Sequence, residues 1–233
     1  MSTRSRLVRF AGLPDLAPDL SILSDAQANL WPKMGDIPER FVLYGGTALA
    51  LRLAHRRSLD FGFFAHESFS ARELLDGLRW LGRLEVVEMR DNDLAVIEPG
   101  GVQLSFYGGL DLQAVAEPSL VAENGLVVAS VYDLAGTKAK AILDRSEWKD
   151  YVDIAMLLRA GHRLADVIGY ATTILARQID FPAPVFLRSL VWFKDGTAVD
   201  VPMEIRSELE MAVHDLGLAD IPLVQPYRPT IAP

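Results

Sequence analysis

Tyr44-Gly-Gly-Thr-Ala-Leu-Ala-Leu-Arg-Leu-Ala-His-Arg-Arg-Ser-Leu-Asp-Phe-Gly-Phe-Phe64 is the stretch whose reading decides the fold. It follows a short apolar run, Phe41 to Tyr44, which reads as a buried strand halted by the turn Gly45-Gly46. Thr47 is positioned to cap a helix from Ala48 to about Ala54, a segment of good helix formers. Arg56-Arg57-Ser58 is a polar turn. Leu59 to Phe64 then alternates as a second strand, with Leu59, Phe61 and Phe63 on one face and Asp60, Gly62 and Phe64 on the other. Glycines let backbone N–H groups approach an anion, and a helix N-terminus adds unpaired donors and partial positive charge. Gly45, Gly46 and Thr47 therefore form a candidate phosphate cradle. If the two strands are neighbours, Asp60 faces it and is a candidate ligand for Mg²⁺. The plainer alternative is an ordinary turn and an exposed aspartate at a strand end.

Further along the chain, Ser70-Ala-Arg-Glu73 matches a capping box opening a helix to about Trp80. Segments 84–90, 94–98 and 102–107 read as an antiparallel meander, turned at Asp91-Asn92-Asp93 and Pro99-Gly100-Gly101. A short strand is expected at 126–129. Beyond it the periodicity becomes helical: one helix from Ser130 through Leu143, one over 147–158 ended by Gly161, and others over 164–178, 183–193 and 202–216. The proline-rich tail, 222–233, reads as irregular. The pattern is α/β (α+β), mixed in front and helical behind, with an expected core over 1–130 and a helical lobe over 131–233.

Composition narrows the function. The chain has 233 residues, 50% hydrophobic and 23% charged, an ordinary globular balance. It has no cysteine, which excludes disulfides, thiolate metal sites and cysteine nucleophiles and suits a cytoplasmic protein. No apolar run reaches the roughly 18 to 20 residues of a bilayer span, and the N-terminus does not read as a secretory signal. The formal charge of −8 disfavours broad contact with nucleic-acid backbones. The dense basic cluster is Arg52, His55, Arg56 and Arg57, which either steers an anion toward the cradle or offsets the negative pole of a helix end. His55, His66 and His162 lack metal-ligand spacing.

A second block, Thr137-Lys-Ala-Lys-Ala-Ile-Leu-Asp-Arg145 followed by Trp148-Lys-Asp-Tyr-Val-Asp-Ile154, places Asp150 and Asp153 on one helix face. Lys138 and Arg145 also share a face if their helix is unbroken. Read alone, this is a helix hairpin with surface ion pairs, such as Lys149 or Arg145 with Asp153.

Together the two blocks resemble the AbiEii/AbiGii toxin family of polymerase-β-like nucleotidyltransferases. Members read Gly-Gly-Thr-Ala-Leu, a His-Arg pair, and Ser-x-Asp-Phe-Asp-Phe-Phe. This chain matches at Gly45, Gly46, Thr47, Ala48, Leu49, His55, Arg56, Ser58, Asp60, Phe61, Phe63 and Phe64. The family's second block has a Lys, an Arg and a basic-Asp-aromatic-x-Asp run. The resemblance implies a polymerase-β-like nucleotidyltransferase core with a mixed or antiparallel sheet and a C-terminal helical lobe that completes the site. It implies that Gly45, Gly46 and Thr47 or Ser58 contact a nucleoside triphosphate, and that Asp60 binds Mg²⁺. Lys138 pairs with a phosphate oxygen, and Asp150 or Asp153 positions Lys138 or helps activate the acceptor. Arg57 and Arg145 join the nucleotide-binding candidates. The implied partners are the triphosphate, an RNA or tRNA acceptor and a neutralising antitoxin, with no membrane.

The departure is Gly62. The family places a second carboxylate there, and two-metal chemistry needs several oxygen ligands close together. Three explanations follow. Asp60 serves a single metal alone, a carboxylate such as Asp150 or Asp153 substitutes, or catalysis is lost and the chain is a nucleotide-binding or protein-interaction module.

Overall fold

In a computed structural model, residues 12–227 are described, so the N-terminal segment and the last six residues of the proline-rich tail lie outside the described residues. The chain forms two compact units. One comprises Met1–Asp111 with Glu117–Ser130, the other Leu112–Ala116 with Val131–Pro233.

The first unit is built on a seven-stranded sheet in the order β3-β4-β5-β2-β1-β7-β6. The strands are β1 (Val42–Tyr44), β2 (Asp60–Phe64), β3 (Glu85–Arg90), β4 (Asp93–Ile97), β5 (Gln103–Tyr107), β6 (Ser119–Leu120) and β7 (Val127–Val128). β3, β4 and β5 make the expected antiparallel meander. β1 and β2 pair antiparallel, with Tyr44 opposite Gly62. β2 runs parallel to β5, and β1 parallel to β7, so the sheet is mixed. One face is the core, carrying Leu43, Phe61, Phe63, Leu94, Val96, Leu104 and Phe106, all fully buried. The Phe63 and Phe106 rings stack at 5.0 Å, and Phe41 meets Phe106 edge-on at 5.1 Å, geometries that add to area burial.

Among the described residues, this unit contains the α-helices α1 (Asp25–Leu30), α2 (Gly45–Leu53) and α3 (Ala71–Gly77). α1 begins with a complete capping box between Ser24 and Gln27. α2 starts two residues before Thr47. Its N-cap is Tyr44, Gly45 at φ +77° makes the turn that an L side chain resists, and Thr47 is already inside the first turn. The Thr47 hydroxyl therefore donates to the Asp60 carbonyl oxygen instead of capping. Leu59 is also displaced from its expected face. It lies just outside β2 and is 68% exposed, because the alternation that buries Phe61 and Phe63 starts only at Asp60. At α3, the Ser70 side chain accepts from the Glu73 N–H, and the regular helix stops at Gly77, short of Trp80.

The second unit is helical: α4 (Val131–Asp144), α5 (Trp148–Arg159), α6 (Leu164–Leu175), α7 (Ala183–Leu190) and α8 (Met203–His214). α4 packs against α5, α6 and α7, burying Leu134, Ala135, Ala139 and Ile142. Residues 112–116 dock onto it: Val115 N–H donates to Asp133 Oδ1 at 2.8 Å, and Gln113 N–H to the Ile174 carbonyl at 2.9 Å. The described tail is irregular yet pinned, since the Val224 carbonyl accepts from Thr173 Oγ1 at 2.8 Å. Among the described residues, no helix is long and apolar enough to cross a membrane.

Candidate functional site

In the sheet unit, five candidates lie at or beside the start of α2. The chain enters that helix from β1 without a side-chain cap, so the first-turn N–H groups, at the positive end of the helix dipole, receive no cap from the Tyr44 side chain. Gly46 is required by a close approach: a Cβ there would lie 2.7 Å from Arg56 Nη2 and 2.9 Å from Ser58 Oγ. Ser58 is buried, and its hydroxyl donates to Asp60 Oδ1 at 3.3 Å. Thr47 holds the Asp60 backbone from the other side. The Asp60 carboxylate is exposed at the first position of β2. Gly45, Gly46 and Thr47 thus open α2 beside Ser58, whose hydroxyl donates to the Asp60 carboxylate.

The basic residues beside this cluster do different things. Arg52 turns inward to the sheet. Its guanidinium donates to the Ala129 carbonyl at 3.0 Å, the Val128 carbonyl at 3.3 Å and Ser119 Oγ at 3.0 Å, tying α2 to β6 and β7. Arg56 Nη1 donates to the Arg57 carbonyl at 3.0 Å, which folds the turn over itself. Arg57 is exposed.

The donor set limits the metal chemistry. Gly62 lies on the same sheet face as Asp60, and on β5 the registered neighbours of Asp60 and Gly62 are Gln103 and Ser105, so the adjacent strand adds no carboxylate. Among the described residues, no group of three or more His, Asp and Glu side chains is placed to hold a metal ion. One carboxylate fits a single Mg²⁺ that arrives with triphosphate oxygens, because Mg²⁺ is commonly held by one or two carboxylates plus substrate phosphates. It does not fit a protein-held metal pair.

In the helical unit, the second block is a buried charge cluster, not a pair of surface bridges. Lys138 is 4% exposed, and Asp150 and Asp153 are fully buried. Lys138 Nζ lies 2.7 Å from Asp150 Oδ1 and 2.6 Å from Asp153 Oδ2. Arg145, one residue beyond the end of α4, reaches Asp150, with Nε 2.9 Å from Oδ2. Lys149 pairs with Glu147. An ammonium carries three donors, and the two carboxylates take two of them. Both aspartates are engaged by Lys138, which weighs against either one standing in for the carboxylate absent at Gly62.

Two features of the site had no counterpart in the sequence reading. The Thr47 hydroxyl serves the Asp60 carbonyl, and the buried Gln27 side chain donates to the Ser58 carbonyl at 2.8 Å. The Ser24-Asp-Ala-Gln27 spacing signals a helix cap, but nothing in it signals a contact 31 residues away.

Comparison with known proteins identifies the family and the fold. The profile of the family described as nucleotidyl transferase AbiEii toxin, type IV TA system, matches residues 35–214, more than half of the chain. An uncharacterized protein of Aquifex aeolicus (strain VF5) is 31% identical over 164 residues, covering 67% of this chain and 75% of that one. Two solved structures share the fold. One is from an H. pylori protein assigned as a nucleotidyltransferase (TM-score 0.52, 15% identity, 82% of this chain and 92% of that chain). The other is MenT4, a nucleotidyltransferase toxin from Mycobacterium tuberculosis H37Rv (TM-score 0.53, 14% identity, 94% and 92%).

Proposed function

The chain belongs to the AbiEii nucleotidyl transferase toxin family, and from that premise we propose that it transfers a nucleoside monophosphate from a nucleoside triphosphate to an acceptor hydroxyl, releasing pyrophosphate. The acceptor is an RNA end such as that of a tRNA, the setting is the cytoplasm, and a cognate antitoxin protein neutralises the activity. The observation that carries this reading is the cluster at the start of α2, where an uncapped helix end, a glycine without room for a side chain, the Ser58 hydroxyl and the Asp60 carboxylate are held together.

The roles follow from the chemistry of each group. N–H groups of Gly45, Gly46 and Thr47 bind phosphate oxygens, aided by the helix dipole. Ser58 orients the Asp60 carboxylate through its hydroxyl. Arg57 draws the polyanion in by its charge. Asp60 together with the triphosphate would hold a Mg²⁺ ion, which would supply charge neutralisation at the reacting phosphate. Lys138 contributes positive charge for the nucleotide's phosphates, and Asp150 and Asp153, each paired with its ammonium, keep that charge fixed. Arg145 holds Asp150 and contributes a partly exposed guanidinium for the nucleotide. The incoming hydroxyl gives its proton to solvent water as its bond to the α-phosphorus forms, and the pyrophosphate leaves with the electron pair of the broken P–O bond.

A second reading is favoured by Gly62 with Gln103 and Ser105 beside it. On that reading the chain binds nucleotide or a protein partner without catalysing transfer. Calorimetric titration with ATP, GTP, CTP and UTP, with and without Mg²⁺, followed by incubation with radiolabelled triphosphate and total RNA, separates the two. Metal-dependent binding with label transfer supports the enzyme. Metal-dependent binding without transfer supports the second reading. Absence of both rejects the site.

A further inference from the structure

We propose that Gln27 is a positioning residue for the nucleotide site, acting through the segment that carries Ser58 and Asp60; this rests on the reading of that site given above. Gln27 belongs to α1, far from the site in sequence, and is fully buried. Its amide is held at both ends. Oε1 accepts from the Ser24 backbone N–H at 3.0 Å and from the Ser24 hydroxyl at 3.2 Å. Nε2 donates to the Ser58 carbonyl at 2.8 Å.

The chemistry fixes which way the amide points. A backbone N–H only donates and a carbonyl only accepts, so the oxygen must face Ser24 and the nitrogen must face Ser58. The capping box of α1 therefore aims the donor.

The target of that donor is sensitive. Residues 54–59 form no regular structure between α2 and β2, so no ladder or helix sets the position of Ser58. Two side-chain bonds flank the segment that leads into Asp60: Gln27 on the Ser58 carbonyl and Thr47 on the Asp60 carbonyl. Between them the Ser58 hydroxyl reaches Asp60 Oδ1 and lies 2.9 Å from where a Cβ on Gly46 would be. A shift of the Ser58 backbone moves the hydroxyl off both the carboxylate and the helix end. A buried carbonyl left without its donor also loses its hydrogen bond with no water to replace it. The Gln27 amide is thus a spacer of set length between α1 and the phosphate cradle.

The test uses the full chain. Mg²⁺-dependent affinities for ATP, GTP, CTP and UTP are measured by calorimetry, and the tightest nucleotide is then used for Gln27→Glu, Gln27→Met and Ser24→Ala. Gln27→Glu keeps an acceptor for Ser24 and removes the donor to Ser58. Ser24→Ala removes the cap hydroxyl but keeps the backbone N–H that aims the amide. The expected result is an affinity about tenfold weaker in both Gln27 variants, the scale of one lost buried hydrogen bond. Ser24→Ala should lower the melting temperature and leave affinity unchanged. A purely structural role for Gln27 would lower the melting temperature of its variants and leave the affinity of the folded protein intact, and that result overturns the inference. If the unchanged chain shows no Mg²⁺-dependent binding, the site reading itself fails and takes the inference with it. Should the Gln27 variants not fold, the side-chain amide resonances of Gln27 in the unchanged chain decide. Movement on adding Mg²⁺ and triphosphate, with the exposed Gln178 amide as a fixed reference, supports the proposal, and no movement overturns it.

Discussion

Tyr44 and Gly62 lie directly opposite each other across the β1–β2 pair, and a Cβ added at Gly62 would meet only the Tyr44 carbonyl oxygen, at 3.8 Å. The glycine is therefore not required by crowding, and its φ lies outside the left-handed region. Gly62→Asp should fold and should place a second carboxylate on the sheet face of Asp60. We expect it to raise transferase activity about tenfold or more, equivalent to roughly 1.4 kcal/mol of barrier. Mg²⁺ should raise the melting temperature of the variant more than that of the unchanged chain, because two carboxylates one strand position apart repel without a cation. A folded variant with a confirmed substrate and an unchanged rate would count against the family mechanism in this chain.

Gly46 behaves in the opposite way. Its Cβ would press on Arg56 Nη2 and Ser58 Oγ at 2.7 and 2.9 Å. The arginine tip can swing away, but the serine hydroxyl is anchored to Asp60. Within a helix, Gly→Ala otherwise gains roughly 0.5 to 1 kcal/mol. Gly46→Ala is therefore expected to leave thermal stability near that of the unchanged chain while weakening triphosphate binding about tenfold, roughly 1.4 kcal/mol. Melting and calorimetry on one preparation check both halves. Unchanged affinity would show that the cradle does not need the Ser58 hydroxyl in place.

The contrast between these two glycines shows what the sequence made legible. The double glycine, the strand alternation at Phe61 and Phe63, and the meander over 84–107 depend on neighbours in sequence, and local pattern reveals them. The parallel pairing of β2 with β5 joins segments about 40 residues apart, so no local signal carries it. The short helices between Leu20 and Asp36 are too brief for a helical period to emerge. Depth was the hardest quantity to read. Arg52 looked like a solvated helix end, yet it is bonded to the β6–β7 side of the sheet. Asp153 read alone looked like a surface partner of Lys149 or Arg145, because charge spacing reports which residues share a face and not whether that face is covered.

The buried Lys138 cluster makes its own prediction. Removing one partner of a buried ion pair strands the other charge, at a cost of about 3 to 5 kcal/mol. In Lys138→Met, Asp150 keeps Arg145 while Asp153 loses the ammonium at 2.6 Å. Urea unfolding should show a loss of about 3 kcal/mol. The double variant Lys138→Met/Asp153→Leu also removes the carboxylate that has lost its ammonium and should recover part of that stability. It should recover no transferase activity, because the charge proposed to act on the phosphates is still missing. Recovery of activity with stability would assign the cluster to the fold alone.

His162 gives the helical unit a pH dependence of known sign. It lies at the end of the turn after α5, edge-on to Tyr132 with ring centroids 5.6 Å apart. Burial lowers its pKa below the usual value of 6.5, and the nearby Asp166 carboxylate opposes this only in part. The unfolded chain therefore binds a proton more readily than the folded one near and below pH 6.5, and stability rises with pH across that window. The contribution is complete above the unfolded value and is lost as pH falls through the folded one. Asp166, whose pKa is lowered first by its hydrogen bond from Arg163, adds a loss of the same sign at more acid pH. His162→Phe should flatten the slope of unfolding free energy between about pH 7 and pH 5, while leaving the more acid loss in place. Denaturant titrations at half-unit pH intervals check this. A slope identical to that of the unchanged chain would mean that another group titrates in that window.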